Sequence, residues 1–172
     1  MQTPWNLALD VEQVDPWVQV TSLQHATVGE ALVKVTANLQ YQIENTGLKA
    51  FRVSLPVDAD NVKFSGDQVA DFLALPGEPN APLKTWEVKL HRRVIGQYLL
   101  QVTYQTPVAA NAVETGLRGV QVADVNLQRG FVTVESSGRL QVRVDAAPAA
   151  LQPTEWQSIS RTLQKDLTAS SA

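Results

Sequence analysis

Hydrophobic and polar residues alternate with a period of two along the middle of the chain. Over residues 31–43 the odd positions are apolar and the even positions polar, with Leu32 as the exception. A helix would scatter such residues around its axis, whereas a pleated strand places them on two opposite faces. The pattern therefore predicts a strand with one face on a core and one in water, which is typical of antiparallel sheets. The predicted buried residues are Val33, Val35, Leu39 and Tyr41, and the predicted exposed residues are Lys34, Thr36, Asn38 and Gln40.

The same alternation recurs at residues 7–11, 17–21, 51–55, 86–90, 98–105 and 140–144. Valine is frequent at the apolar positions, which suits strands. Trp17 and Trp86 share the apolar faces of their segments, so both are predicted to lie in the core. Together the segments predict about nine strands.

Turn-forming residues separate these segments. Asn45-Thr46-Gly47 follows the long strand and predicts a hairpin to the strand at 51–55. Turns are also predicted at 65–67 and 136–138, and a loop at 76–80, where two prolines and a glycine cannot continue a strand. Gly96 interrupts a good strand and predicts a bulge.

The C-terminal region has a helical period instead. Thr154 and Gln157 have capping-box spacing, and Trp156, Ile159, Leu163 and Leu167 follow at intervals of three and four. This spacing predicts a short amphipathic helix over 154–167, with its apolar face buried.

The elements predict an all-β fold, namely an antiparallel β-sandwich of the Ig-like or Greek-key type with a short C-terminal amphipathic helix. Residues 1–107 are assigned to the sandwich core and 108–150 to additional strands and a hairpin that pack on it. Residues 151–168 are assigned to the C-terminal helix and 169–172 to a linker-like tail.

Composition and charge exclude several classes of function. The chain has 172 residues, no cysteine, and a net charge of -3. A protein without a basic excess is a poor binder of nucleic acid, and no apolar run is long enough to be a transmembrane segment. The N-terminus lacks the basic and apolar regions of a signal peptide, and the ends suggest a segment of a longer protein.

The two histidines are predicted to be surface or edge residues. His25 lies in a strand-like run, and His91 begins the charged triplet His91, Arg92 and Arg93. No HExxH, GxSxG or P-loop motif is present, so neither catalytic residues nor a cofactor are predicted. The triplet is interpreted as a charged strand end that discourages edge pairing, and as a possible anion or partner contact.

Asp58, Asp60 and Asn61 are the best metal candidate, because calcium prefers alternate oxygen ligands on a loop. The glycine and bidentate glutamate of an EF-hand do not follow at the required spacing. Aspartate and asparagine are also ordinary turn residues after a proline such as Pro56, so no metal site is predicted.

Aromatic side chains raise the alternative of a carbohydrate-binding module. Trp5, beside Pro4, is predicted to be exposed, and Trp156 is a second possible contact with a ligand or partner. Pairs of acids such as Glu87 with Glu114 could in principle serve a glycosidase, but a chain with 17 acids offers many such pairs.

The order of the strand and turn motifs resembles a repeated β-sandwich module of large, uncharacterised exported or envelope proteins of planctomycete-like bacteria. The motifs that carry this resemblance are LALDVE (7–12), LQYQIE (39–44), FRVSLP (51–56), VKFSG (62–66), WEVKL (86–90), GQYLL (96–100) and RGFVTV (129–134). The resemblance implies tandem modules outside the cytoplasm, in the periplasm or at the cell surface, with the targeting signal elsewhere. It implies no catalytic residues.

We therefore expect a non-catalytic module that serves in structural spacing or protein contact. The expected partners are adjacent modules of the parent protein or another protein. A ligand-binding module for carbohydrate is the alternative, and exposed aromatic side chains on one sheet face would favour it.

Overall fold

The computed structural model describes residues 15–108 and 119–136, which form an all-β structure. The strands are β1 (Trp17–Val28), β2 (Leu32–Pro56), β3 (Asp60–Gly66), β4 (Val69–Ala74), β5 (Leu83–Pro107), β6 (Gln121–Val122) and β7 (Leu127–Ser136). The prediction of an all-β fold is confirmed. The predicted helix at 154–167, the strand at 140–144 and the turn that continues beyond Ser136 lie outside the described residues.

All seven strands belong to one mixed sheet. Its main path is β3-β5-β2-β1-β7, with β4 also paired to β5 and β6 to β2. Most pairs are antiparallel, as predicted, but β1 and β7 run parallel over ten residue pairs, from Gln19↔Leu127 to Val28↔Ser136. The prediction of a purely antiparallel sheet is therefore wrong at this edge. Strand direction depends on how the chain returns to the sheet, and the alternation within a strand does not encode that path.

Strands β2 and β5 are each 25 residues long and replace pairs of shorter predicted strands. The predicted hairpin at 45–47 is wrong, because β2 continues through it and pairs with β5 on both sides. The ladder changes register between Ile43 and Leu48, opposite Gly96 and Val94. The turn residues thus bend two neighbouring strands together instead of reversing one of them.

Left-handed backbone conformations produce this bend. Asn45 has φ of 75° and Gly96 has φ of 84°, so the bulge predicted at Gly96 is confirmed. The Arg93 guanidinium Nη1 donates to the Gly47 carbonyl oxygen at 3.3 Å across the bend. Within β5, Arg93 therefore contacts the turn residues of β2 directly.

The bend folds the sheet over so that its two halves face each other. Tyr41 and Phe51 are ten positions apart on β2, a separation of about 33 Å in a straight strand. Their ring centroids are 4.2 Å apart. Strand β5 is bent in the same way. Phe64 of β3 pairs with Val102 of β5, yet its ring centroid lies 6.1 Å from that of Trp86, which is also on β5.

One hydrophobic core fills the space between the two halves. The apolar alternation predicted for residues 33–43, 51–55 and 98–104 is confirmed, since Val33, Val35, Leu39 and Tyr41 are all buried. Val120 and Val122 join this core from the far end of the described chain. Lys34 is exposed as predicted, but Thr36 and Gln40 are half-buried. Asn38 is fully buried on the opposite face, where exposure was predicted.

The turn predicted at 65–67 forms slightly later, at Asp67 and Gln68, because β3 extends through Gly66. Gln68 takes the positive φ of this turn, at 63°. The predicted loop at 76–80 is confirmed.

Candidate functional site

The folded sheet has two outer faces, which we define by the long strands that supply them. The first face belongs to β1, β3, β7 and the halves of β2 and β5 that pair over residues 32–43 and 96–107. The second face belongs to β4, β6 and the halves of β2 and β5 that pair over residues 50–56 and 83–89. Because side chains alternate across a strand, every residue of these strands contributes either to the core or to one of the two outer faces.

The first outer face contains a buried patch, formed by Leu23, His25 and Asn38. Leu23 lies in register between Asn38 of β2 and Phe131 of β7. The Asn38 side chain accepts a hydrogen bond from Gln101 Nε2 at 3.1 Å. This patch is a second packed region on the side of the sheet that sequence alternation assigns to water.

His25 connects β1 to β7 through both ring nitrogens. Its Nδ1 lies 2.6 Å from Thr133 Oγ1, and its Nε2 lies 3.4 Å from Glu135 Oε2. The prediction that His25 is a surface or edge residue is wrong, because it is only 9 % exposed and β7 pairs alongside it. The local sequence around residue 25 contains no sign of a partner strand more than a hundred residues later.

A hydroxyl, an imidazole and a carboxylate in contact are the parts of a nucleophile–base pair. Here both ring nitrogens contact groups on the neighbouring strand, and neither of the two cavities described below includes these residues. We interpret the arrangement as a polar clamp that fixes the parallel β1–β7 register. Within residues 15–108 and 119–136, no three His, Asp or Glu side chains are grouped so that they could hold a metal ion.

The second outer face is open to solvent. Its polar centre comprises Arg52 and Ser54 of β2 with Thr85, Glu87 and Lys89 of β5. Opposite charges lie in cross-strand register, since Arg52 faces Glu87 and Lys89 faces Asp71. Arg52 Nη1 also lies 3.8 Å from Asp124 Oδ2. Such paired charges leave little net charge on the face.

Apolar side chains form one corner of this open face. Leu73 is 37 % exposed and lies in register with Glu87. Leu75 and Leu83 are half-buried at the same end, where the Leu75 N–H donates to the Thr85 carbonyl oxygen at 2.8 Å. Val57, which follows β2, is also exposed and is hydrogen-bonded to Pro82. The open face thus combines an apolar corner with paired charges.

Two cavities lie elsewhere in the described structure. One, of about 450 Å³, is an open depression on the first half, lined among others by Lys34, Thr36, Lys63 and Thr103. The other, of about 310 Å³, lies between the two halves next to Tyr41 and Phe51. The two lysines would favour an anion in the first, whereas the second is lined by apolar residues together with Arg52, Glu87 and Asp124.

The candidate calcium residues lie in an ordinary exposed turn at the start of β3. The Asn61 backbone N–H donates to Asp60 Oδ1 at 2.9 Å, and Asn61 Nδ2 donates to Gln105 Oε1 at 3.2 Å. Asn61 has a positive φ of 51°, which suits a turn asparagine. Asp58 is exposed in the same turn. Asn61 thus points its amide group toward β5.

The triplet His91, Arg92 and Arg93 lies within β5, so its interpretation as a charged strand end is wrong. All three residues are exposed, and the His91 N–H donates to the Gln68 carbonyl oxygen at 2.8 Å. The strand continues because Gly96 bends it instead of ending it. These residues border the bend and not the open face.

The two tryptophans in the described residues differ in solvent exposure. Trp86 is half-buried and packs against the core, as predicted. The prediction that Trp17 is buried is wrong, because it is 42 % exposed. The inward positions of β1 begin with Val18 and Val20, so Trp17 is directed to the outer face. Trp5 and Trp156 lie outside the described residues.

Sequence reasoning missed the open face and the buried patch. Leu73 and Leu75 were assigned to no strand. They are two residues apart, so in a strand both side chains would lie on the same side. The signal for the patch was weaker still, because Asn38 occupies a polar position of a regular alternation. The burial of this position is visible only in the folded structure.

In the part of the chain that the structure describes, no helix has the length and apolar character needed to cross a membrane.

Comparison with known proteins yields weak structural similarities only. No protein-family model matches the chain, and no curated protein sequence matches it. The M1 zinc metallopeptidase from Deinococcus radiodurans aligns over 55% of this chain and 21% of its own, with 19% identity and a TM-score of 0.37. This chain therefore spans about a fifth of that enzyme.

Two cohesins align over more of their own length. The seventh ScaB type I cohesin from Pseudobacteroides cellulosolvens covers 74% of this chain and 98% of its own, with 12% identity and a TM-score of 0.42. A non-cellulosomal cohesin from Archaeoglobus fulgidus covers 71% and 92%, with 9% identity and a TM-score of 0.33. At these TM-scores the similarities assign neither a family nor a function to the chain.

Proposed function

We propose that this chain is a non-catalytic module of a larger exported or envelope protein, and that it contacts a neighbouring module through the open face. The observation that carries the proposal is the exposed four-stranded surface of β6, β2, β5 and β4, with its apolar corner at Leu73. The finer assignment to an Ig-like or Greek-key sandwich is part of the same proposal.

The composition of the open face supports a protein partner. Leu73, Leu75, Leu83 and Val57 provide apolar area, and the cross-strand pairs Arg52–Glu87 and Lys89–Asp71 border it. Apolar side chains beside compensated charges can be covered by another protein without leaving an unpaired buried charge. A face with one strong sign of charge would instead favour a charged ligand.

The location in the periplasm or at the cell surface follows from the resemblance to repeated envelope modules. In such tandem arrays each module contacts its neighbours along the chain. The occupant that we propose for the open face is therefore the adjacent module of the same polypeptide.

Thiol labelling can test this contact cleanly because the chain contains no cysteine. A single thiol is introduced by Leu73→Cys on the open face, or by Gln97→Cys on the other half as a matched exposed control. Labelling rates are compared between the 172-residue chain and a longer natural polypeptide that includes it. We expect the longer polypeptide to slow labelling at position 73 and to leave position 97 unchanged.

A further substitution, Thr85→Arg, places an unpaired charge in the middle of the open face and should restore fast labelling at position 73. Equal labelling at position 73 in both polypeptides would contradict the proposal. Slower labelling at position 97 alone would assign the contact to the opposite face.

Carbohydrate binding is the second candidate, and the exposure of Trp17 favours it. Trp17 and Gln19 lie on the same face of β1, and Gln42 of β2 lies in register with Gln19. An exposed indole beside two amides can stack on a sugar ring and donate hydrogen bonds to its hydroxyls. Native gels that contain a soluble polysaccharide test this candidate. Retardation that is lost in Trp17→Ala would support it, and unretarded migration of the wild type in xylan and laminarin gels would count against it.

A further inference from the structure

The larger of the two cavities lies on the first outer face, where β3, β5 and β2 run side by side. It is an open depression of about 450 Å³. Among the described residues its lining includes two lysines, Lys34 and Lys63, and no aspartate or glutamate. The depression therefore has the opposite charge to the chain as a whole, whose net charge is -3.

Strand register places the two lysines on opposite sides of a shared floor. Lys63 of β3 is in register with Thr103 of β5, and Lys34 of β2 is in register with Gln105, two residues further along β5. With strands about 4.8 Å apart and about 3.4 Å per residue, the Cα atoms of the two lysines are about 12 Å apart. Two lysine side chains that extend toward each other can therefore contact one group between them.

Two threonines lie on the floor between the lysines. Thr36 and Thr103 are in register with each other, are half-buried and line the depression. The preceding residue Val35 and the following residue Tyr104 are buried in the core, so alternation places both threonine side chains on the outer face. Threonine hydroxyls can donate hydrogen bonds to anionic or neutral oxygen atoms of a ligand.

A bulge in β3 forms the side of the depression next to Gln105. The β3–β5 register shifts between Asp60 and Lys63, and Asn61 at this shift has a φ of 51°. Asn61 Nδ2 donates to Gln105 Oε1 at 3.2 Å. Because the Gln105 oxygen accepts this bond, the amide NH₂ group of Gln105 keeps its donors for a ligand.

Carboxylates of the protein do not neutralise the two lysines. Within residues 15–108 and 119–136, neither Lys34 nor Lys63 forms an ion pair. Asp58 and Asp60, near the start of β3, do not line the depression, and Asp60 Oδ1 accepts the Asn61 backbone N–H at 2.9 Å. An anion in the depression is therefore attracted by both ammonium groups.

The size and the lining indicate more than a bare anion. A volume of about 450 Å³ lies within the range of small-molecule sites and exceeds what a single phosphate group fills. A phosphate monoester has a charge of about -1.5 to -2 at neutral pH, which two lysines can balance. The hydroxyl and amide donors of the floor suit a carrier that itself has hydroxyl groups.

We propose that this depression binds a phosphate monoester on a hydroxylated carrier, that is, a sugar phosphate or polyol phosphate. Lys34 and Lys63 contact the phosphate, and Thr36, Thr103 and Gln105 contact the phosphate and the adjacent hydroxyl groups. The depression is on the first outer face, so the site can exist whether or not the open face contacts a neighbouring module.

Glucose 6-phosphate, glucose and inorganic phosphate together test the site, because the first probe combines the other two. Each is titrated at millimolar concentration and low ionic strength into the ¹⁵N-labelled chain, and the amide shifts of residues 34–36, 61–63 and 103–105 are followed. We expect glucose 6-phosphate to shift these amides to saturation and to bind more tightly than either other probe. Added sodium chloride should weaken its binding, because salt screens exposed charges.

Lys34→Gln and Lys63→Gln each remove one positive charge and should each weaken glucose 6-phosphate binding by about threefold. The double variant should weaken it by about tenfold. Lys84→Gln combined with Lys89→Gln removes the same charge from two exposed lysines on the second half, and this matched control should leave binding unchanged. The amide spectrum of each variant reports in the same experiment whether the fold is retained.

Vesicles distinguish a soluble ester from a lipid headgroup that has the same chemistry. The chain is sedimented with phosphatidylcholine vesicles that contain or lack phosphatidylinositol 4-phosphate. Co-sedimentation that needs the phosphoinositide and is lost when both Lys34 and Lys63 are replaced would support the site and identify a lipid-borne phosphate. Binding of glucose 6-phosphate without co-sedimentation would support the site and identify a phosphate that is not lipid-borne.

Three results would overturn the proposal. One is the absence of shifts in these amides at millimolar glucose 6-phosphate. Another is equal weakening by the two double lysine variants, which would mean that the probe responds only to the overall charge of the chain. The third is glucose 6-phosphate binding no more tightly than glucose or inorganic phosphate, which would mean that the depression does not recognise the ester.

Discussion

The two outer faces of the folded sheet are built from the same two long strands, yet they differ in burial. On the first face Leu23 and Asn38 are both 0 % exposed, whereas on the second face Leu73 is 37 % exposed. Both faces carry the polar half of a regular alternation in β2 and β5. The difference shows that alternation distinguishes core from outside but does not distinguish a buried position on an outer face from an exposed one.

The strands that flank the two halves of the sheet also differ. On the first half β1 and β7 continue the sheet, and β7 contributes Phe131, Thr133 and Glu135 next to Leu23 and His25. On the second half the short strands β4 and β6 flank β2 and β5. The open face therefore retains apolar and charged groups that a partner can contact.

The largest expected effect is at the buried patch. Leu23→Ala should lower the free energy of unfolding by about 2–5 kcal/mol, because it leaves a cavity at a fully buried site. The matched substitution Leu73→Ala on the open face should change it by less than about 0.5 kcal/mol. Urea unfolding curves of the two variants measure this difference. Equal losses would show that the open face is packed as tightly as the patch.

Asn38→Ala tests the polar part of the patch. It removes the acceptor of the Gln101 amide in a fully buried setting, so we expect a loss of about 1–3 kcal/mol. On the open face, the half-buried Ser54 hydroxyl lies 3.1 Å from Thr85 Oγ1. Ser54→Ala removes this hydroxyl and should lower the free energy of unfolding by less than about 1 kcal/mol. Thermal melts of both variants measure the two losses of stability. A larger loss for Ser54→Ala than for Asn38→Ala would contradict the difference in burial between the two faces.

Gly96→Ala tests the bend that separates the two faces. The φ of 84° at Gly96 is unfavourable for a residue with a Cβ atom, although no atom lies within 4 Å of where that Cβ would be. The expected loss is therefore about 1–2 kcal/mol and comes from the backbone alone. Gly77→Ala in the 76–80 loop, where the Cβ also meets no atom, is the control and should be nearly neutral. Chemical denaturation gives both values, and a neutral Gly96→Ala would mean that the bend does not need a left-handed residue.

The smallest expected effect is at Arg52 on the open face. Its ion pair with Asp124 is 3.8 Å long, and both side chains are more than half exposed. Arg52→Ala should therefore change stability by less than about 0.5 kcal/mol. A loss above about 1 kcal/mol in urea unfolding would show that Arg52 has a structural role in holding the 123–126 segment.

Sequence reasoning identified the strands more reliably than their connections. The buried positions Val33, Val35, Leu39 and Tyr41 and the bulge at Gly96 were predicted correctly, because each depends on local stereochemistry. The hairpin at 45–47 was wrong, because a residue with positive φ can either reverse a strand or bend it. The choice depends on whether the partner strand β5 continues alongside.

For the candidate sites too, the sequence predicted local features and missed those that depend on distant strands. The alternation explains why Arg52, Glu87 and Lys89 face outward, but it does not show that their face is open. The burial of His25 depends on Thr133 and Glu135, which lie more than a hundred residues later in the chain. The lack of a hydrogen-bond partner for the Tyr41 hydroxyl among the described residues could not be predicted either, since a tyrosine at an apolar position gives no sign of its partners.

The sequence by itself determined the all-β character of this protein, the inward face of its long strands and the residues able to adopt left-handed conformations. These properties follow from the two-residue period of a strand and from the sterics of a single residue. The tertiary structure alone decided that β2 and β5 bend instead of turning back, that β7 runs parallel to β1, and that one outer face contains a buried patch while the other is open. Each of these depends on pairing between residues far apart in the chain, which no local pattern encodes.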